Sequence, residues 1–221
     1  MTPLSPEERT RWDSYLADVD QRVLSNIPGI TDFDEWKRAE FDHVEDQLLD
    51  LRVGEIAINP TFDLEHAQVV HGAMFDGFYT WAGECRQVPL SDGLLDFAPY
   101  DDLASTVNKA SQAFRAFLTS GGDREDFISS TCEAAAWWNY AHPFREGNGR
   151  TMKVVLDQFA NFTPWQFDYA RVTPDQWNTA FMLSMPAPDT EWQSQPANLY
   201  PVFNTITLNR SGSTSDARLR R

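Results

Sequence analysis

Basic side chains are scarce in this sequence: 18 lysines and arginines stand against 33 aspartates and glutamates, a net charge of −15. Such a surface repels a phosphate backbone, so non-specific nucleic-acid binding is excluded and any anionic ligand must find a local basic pocket. Cysteine is nearly lacking. Cys85 and Cys132 are the two present, with no CxxC or CxxH spacing around either. Neither a disulfide framework nor a zinc site is indicated, and both read as buried free thiols. No apolar run reaches the roughly 18 residues of a membrane span. The N-terminal MTPLSPEERTRW lacks the basic, apolar, small-residue order of a signal peptide. The expectation is a soluble, cytoplasmic protein with neither a membrane nor a nucleic-acid partner.

What is present is enough apolar material for one core: 42% of the 221 residues are hydrophobic and 13% aromatic. One main domain over 27–210 is expected, with a helical extension over 1–26 and a flexible Ser-rich tail over 211–221. Helical periodicity dominates. Ser5, Pro6 and Glu8 form a capping-box layout ahead of Trp12, Tyr15, Leu16, Val19 and Val23. Thr31 can cap a helix carrying Trp36, Val44, Leu48 and Leu51. The turn from Asn59 to Asp63 leads into another, with Leu64, Ala67, His71, Met74, Phe75 and Phe78 on one face. Further helices are predicted from Leu103 to Gly121–Gly122, over 126–141, over 149–161, and from the capping box of Thr173, Pro174 and Gln176. Between Arg86 and Phe97 the period changes to two about an Asp92-Gly93 turn, the signature of a β-hairpin. The predicted architecture is all-α with one β-hairpin.

The loop His142-Pro143-Phe144-Arg145-Glu146-Gly147-Asn148-Gly149-Arg150 joins two of these helices. Gly147 and Gly149 are suited to positive-φ backbone and close ligand approach, and the unpaired amides of the next helix open there. Arg150 and Lys153, three apart, share a face near its first turn. Together these make a phosphate cradle. Glu146 has the wrong charge for a phosphate contact but the right one for Mg²⁺ beside phosphates. His142 is placed as a general base. Taken singly, each has an ordinary explanation: a structural histidine, a turn, a solvated face with Lys153 pairing Asp157. The combination within twelve residues is what points to phosphate chemistry. His66 and His71, five apart, read as structural rather than as metal ligands.

This stretch resembles the signature of the Fic family, HxFx(D/E)GNGRxxR, and matches every specified position except the last, where Lys153 stands. Residues 62–88 are similar to the segment before the family's flap hairpin, and 29–52 to the N-terminal helical part of members that work beside a separate antitoxin. The resemblance implies a Fic-type helical bundle with one β-hairpin flap. It also implies a protein adenylyltransferase that moves AMP from ATP to a Ser, Thr or Tyr hydroxyl of a target protein. His142 would deprotonate the hydroxyl, and Glu146 would hold Mg²⁺. Asn148 and the amides of Gly147 and Gly149 would form an anion hole, Arg150 would contact the β-phosphate, and Phe144 would anchor the loop in the core. Lys153 would take the γ-phosphate without an arginine's bidentate fork. Arg86, Gln87, Val88, Pro89, Leu90 and Phe97 would form the flap that registers a target strand, with Asp92 replacing the usual lysine.

Self-inhibited members carry (S/T)xxxE(G/N). The nearest matches, Thr31–Glu35 before Trp36 and Thr61–Glu65 before His66, do not complete it, so either restraint by a small antitoxin bearing that helix or constitutive activity is expected. The alternatives are a Doc-like phosphotransferase, whose loop lacks the second glycine, transfer of another nucleotide such as UMP, and a catalytically silent interaction module.

Overall fold

A computed structural model describes residues 4–17, 22–53, 56–91 and 93–210. The expectations for Val19, Asp92 and the tail 211–221 lie outside the described residues. Eight α-helices follow one another among those described: α1 (Pro6–Ser14), α2 (Phe33–Val53), α3 (Leu64–Phe75), α4 (Leu103–Ser120), α5 (Arg124–Ala141), α6 (Asn148–Ala160), α7 (Pro174–Leu183) and α8 (Tyr200–Ile206).

At the centre is α5, of which Phe127, Ile128, Ala134, Ala135, Ala136, Trp138 and Ala141 are buried. Its start is fixed by Asp123, which caps Glu125 and Asp126, the latter reaching back to the Asp123 amide. The short link after Gly121, whose φ of +67° ends α4, turns the chain back so that α4 and α5 pack side by side. Alanines on α5 give room for an aromatic layer of Phe114, Phe117, Phe127, Phe159 and Trp165, with ring centroids 4.6–6.1 Å apart. α6 packs on α3 and α5, so the loop before α6 is held between two buried helices.

Three features differ from the sequence reading. α1 has the expected capping box but stops at Ser14. It buries none of its residues, so no apolar face sustains a longer helix. Instead Leu16 bridges Leu24 in an antiparallel pair. Asp32, not Thr31, caps α2, accepting the Glu35 amide at 2.9 Å. It is the residue immediately before the helix, the position from which a short side chain reaches the first-turn amides.

The third difference concerns strands. The regular two-stranded sheet is formed by β1 (Trp165–Phe167) and β2 (Thr207–Asn209), antiparallel, with Gln166 opposite Leu208. The segment 86–97 turns back as expected, but it closes through one bridge, Ser91 to Asp96, and the Phe97 amide to the Leu90 carbonyl at 3.0 Å. Its alternation holds: Arg86, Val88 and Leu90 are buried while Gln87 is exposed.

Candidate active site

Helix α5 ends at His142, whose backbone is left-handed (φ 42°, ψ 60°) and whose amide still bonds the Trp138 carbonyl at 3.0 Å. A non-glycine residue in that conformation persists only where its surroundings over-determine it, and here they do. Buried Arg86, 1% exposed, donates from Nε to the His142 carbonyl at 2.8 Å and from one terminal nitrogen to the carbonyls of Ala141 and Ala98. Its amide bonds the Pro143 carbonyl at 2.8 Å. Arg86 was expected to meet a target in the flap. Its guanidinium is instead the staple beneath the 142–150 loop, because burying a charge requires its donors to be matched by carbonyls.

Asn148 clamps the loop from the other side: its Oδ1 accepts the Phe144 amide and its Nδ2 donates to the Phe144 carbonyl, both at 2.8 Å. Its side chain was expected to help bind an anion. With both its amide groups engaged and only 6% of the residue exposed, it shapes the loop instead. Phe144 is fully buried and stacks on His71 at 4.0 Å, which anchors the loop as the resemblance implied. Gly147 is left-handed (φ +79°) and caps α6, whose first-turn amides have no intrahelical acceptor. Gly149, expected to share that conformation, lies within helix α6, and a Cβ there would meet nothing within 4 Å. That open space lies directly at the helix N-terminus.

His71 is the hidden support. Its Nδ1 accepts the Gly83 amide at 2.8 Å, so the proton sits on Nε2, which donates to the Glu146 carbonyl at 3.1 Å. Burial pushes its pKa down to about 4. An unfolded imidazole titrates near 6.5, so stability from this group is complete above that value and is lost as pH falls towards 4, by roughly 3 kcal/mol. Thermal unfolding followed from about pH 7 downward should show this acid slope. A His71→Asn variant should flatten it; an unchanged slope would remove His71 from the account. His66 is structural too, accepting the Phe62 amide on Nδ1 and pairing with Gln158 on Nε2. Among the described residues no cluster of three metal-ligating side chains occurs.

The His142 ring stacks on Phe97 of the 86–97 segment, centroids 3.9 Å apart and 18° from parallel. It opens on a cavity of about 430 Å³ lined by Trp138, Asn148, Gly149, Met152, Trp177 and Asn178, among others. A second cavity, about 370 Å³, is lined by Glu146, Gly147, Gly149, Arg150, Lys153 and Thr173, and shares Gly149, Trp177 and Asn178 with the first. His142 and the cationic groups therefore face adjoining spaces that share Gly149, Trp177 and Asn178.

In the second cavity Glu146 Oε1 accepts the Gly147 amide at 2.9 Å and Arg150 at 3.3 Å. Arg150 also reaches Glu40 of α2. Lys153 sits 5.1 Å over Tyr169 and 5.0 Å over Trp177, and burial lowers its pKa. Arg145 points away from the cavities, over Trp12 at 4.6 Å and Tyr15 at 5.9 Å, tying α1 to the loop. Glu40, Tyr169, Trp177 and Asn178 were not singled out in the sequence. All four reach the site from other helices or turns, and only the capping box ahead of Trp177 gave any local signal.

A helix N-terminus opened by glycines, two cations, a carboxylate and a neighbouring histidine form an arrangement suited to an anion such as a phosphate, with an imidazole at its edge. Residues 61–160, the stretch that holds the His142–Arg150 loop, match the Fic/DOC family. It is 30% identical over 176 residues to protein adenylyltransferase VbhT of Bartonella schoenbuchensis, covering 78% of this chain and 36% of that one. To the probable protein adenylyltransferase y4lH of Sinorhizobium fredii it is 29% identical over 165 residues, covering 74% of this chain and 82% of that one. The chain thus spans about a third of one relative and most of the other. Among solved structures, the N-terminal Fic domain of a putative cell filamentation protein of Bartonella quintana, with bound ADP, superimposes with a TM-score of 0.77. The two are 20% identical, with 90% of this chain and 96% of that one covered. The Bartonella tribocorum BepC protein with bound AMPPNP gives 0.74 at 19% identity, over 89% and 97%.

Proposed function

We propose that this chain is a protein adenylyltransferase: it moves AMP from ATP to a hydroxyl side chain of a target protein. The observation that carries this is the placement of His142 beside the α6 N-terminus, in a cavity that shares Gly149, Trp177 and Asn178 with the cavity holding Glu146, Arg150 and Lys153. In this reading the α- and β-phosphates lie along the amides of Gly147, Asn148 and Gly149, and Arg150 meets the β-phosphate. Those amides stabilise the charge that develops as the target oxygen attacks the α-phosphate and pyrophosphate leaves. His142 takes the hydroxyl proton, and its stacking on Phe97 holds the ring at the wall of the first cavity. The relatives' names support AMP as the group transferred.

Mg²⁺ fits the donors present. Glu146 is a half-exposed lone carboxylate, and Mg²⁺ is commonly held by one or two carboxylates completed by substrate phosphates. When bound with the nucleotide, the metal would neutralise charge between the phosphates, and Arg150 would exchange its Glu146 contact for phosphate. Lys153, over Tyr169 and Trp177, is the cation nearest the far end of the triphosphate in this reading.

For the target, Gln87, Pro89 and Phe97 are the flap residues whose side chains remain exposed or half-buried, while Arg86, Val88 and Leu90 act from beneath. An antitoxin helix would use the groove of about 630 Å³ between α2 and α6, where Phe41, Val44, Leu48 and Leu51 lead to Arg150 and Lys153. Its apolar wall suits an amphipathic helix, and its cationic end suits that helix's glutamate. No helix of the described residues is long and apolar enough to cross a membrane.

The test is incubation with cell extract and α-labelled ATP. A labelled protein band that requires Mg²⁺ and disappears with a chelator is expected. Label retained without any divalent cation would remove Glu146 from its role, and no labelled band with any extract would leave the silent interaction module as the better reading.

A further inference from the structure

Arg150 is held from behind by a carboxylate that the loop motif does not contain. Glu40, on α2, is buried: its side chain is 9% exposed, against 30% for Arg150. Its Oε2 accepts both terminal nitrogens of Arg150 at 3.1 Å. Its Oε1 accepts the Tyr79 hydroxyl at 2.7 Å, and that oxygen in turn accepts the Trp36 indole N–H at 3.1 Å. Burial and the neighbouring Glu40 charge push the Tyr79 pKa up, so the phenol stays a donor. The Phe75 ring lies 4.9 Å beneath the guanidinium. The carboxylate is thus fixed on one oxygen and presents the other to Arg150.

A buried carboxylate next to a phosphate-binding arginine could act in two opposite ways. It could compete with phosphate for the guanidinium, or it could fix the guanidinium so that its remaining donors are aligned. The burial decides. A competitor must share the open side of the arginine, as half-exposed Glu146 does, with 42% of its side chain accessible. Glu40 lies on the closed side, and Arg150 has five N–H donors, more than Glu40 and Glu146 use. Protein kinases show the same logic in another fold, where a glutamate on a helix must pair the lysine that grips the phosphates.

We infer that Glu40, oriented by Tyr79 and Trp36, is a positioning residue that aligns Arg150 for the β-phosphate of the nucleotide. The inference rests on the adenylyltransferase reading, in which Arg150 meets that phosphate. It assigns to α2, outside the loop motif, control over how tightly a nucleotide with two or more phosphates is held.

Calorimetric titration of His142→Ala protein, which prevents turnover, with AMP, ADP and ATP in chelator isolates the side chains from any metal. In this background Glu40→Gln should weaken ADP and ATP by roughly ten-fold to a hundred-fold. AMP, which lacks a β-phosphate, should bind within about two-fold of the parent. Tyr79→Phe should act in the same direction by a smaller factor, and it keeps the test decisive if Glu40→Gln does not fold. Equal weakening of AMP and ATP would show that Glu40 is merely structural; unchanged or tighter ATP binding would show a bystander or a competitor. Any of these overturns the inference. If the parent itself binds AMP as tightly as ATP, the fault lies instead with the reading of Arg150 as a phosphate ligand.

Discussion

Replacing His142 with alanine is expected to lower AMP transfer by roughly 10² to 10⁴, the usual contribution of a positioned general base. Nucleotide affinity and thermal stability should change little. The imidazole stands at the edge of a cavity, half-buried against Phe97, whereas the loop is held by backbone bonds, the His142 carbonyl to Arg86 and the Phe144 amide and carbonyl to Asn148. Measured turnover in the variant equal to wild type would remove the proposed base. A fall in Tm of many degrees would show that the ring supports the fold rather than the chemistry. The separation matters because catalysis depends on interactions made only in the transition state.

Gly147→Ala should be the most damaging single-methyl change in the loop. Gly147 sits at φ +79°, and a Cβ there would lie 2.4 Å from two ring carbons of Phe75 and 3.4 Å from His71 Nε2. The left-handed backbone costs a non-glycine residue about 1–2 kcal/mol. Overlap with a fully buried ring costs about 1–3 kcal/mol more, because Phe75 has no room to move. A loss of about 2–5 kcal/mol corresponds to a Tm lower by roughly 5–15 °C in a chain of this size. Gly149→Ala is the matched control. That residue is already helical and its Cβ meets no protein atom, so the fold should be unaffected while nucleotide binding weakens, the methyl group entering the ligand's space. Scanning calorimetry on the pair separates the two glycines; equal Tm values in both variants would contradict the assigned roles.

The contrast between these glycines shows where sequence reading reached and where it stopped. The loop was legible because its chemistry is consecutive: His142 to Lys153 lies on one short stretch, and the capping boxes at Ser5 and Thr173 are equally local. Conformation within that stretch was less so. Gly147 and Gly149 look alike as letters, yet one is a left-handed cap and the other a helical residue, a difference set by Phe75 and His71 from α3. Asn148 resembled an anion ligand because nothing in the sequence says that its amide will close on the Phe144 backbone.

Long-range partners were out of reach altogether. Arg150 and Glu40 are 110 positions apart, and the Arg86 guanidinium bonds carbonyls up to 56 positions away. Arg86 alternates with Val88 and Leu90 as a buried strand residue should, but an arginine is read as a surface group until carbonyls appear to satisfy it. β1 and β2, three residues each, are too short for a periodic signal, and they are stabilised by Trp165 and Phe167 packing on Phe127 rather than by their own propensity. The early end of α1 follows from the same dependence of helices on tertiary burial.

The central claim is that the group transferred is AMP, carried by attack at the α-phosphate beside His142. Parallel reactions of the wild-type protein with cell extract, one with α-labelled and one with γ-labelled ATP, test it most directly, with His142→Ala in each as the control. The expected result is a band labelled from the α-phosphate alone, lost in the variant and identified by mass spectrometry as an adenylylated hydroxyl residue. Label from the γ-phosphate on the same band would contradict the claim and assign the site to phosphoryl transfer.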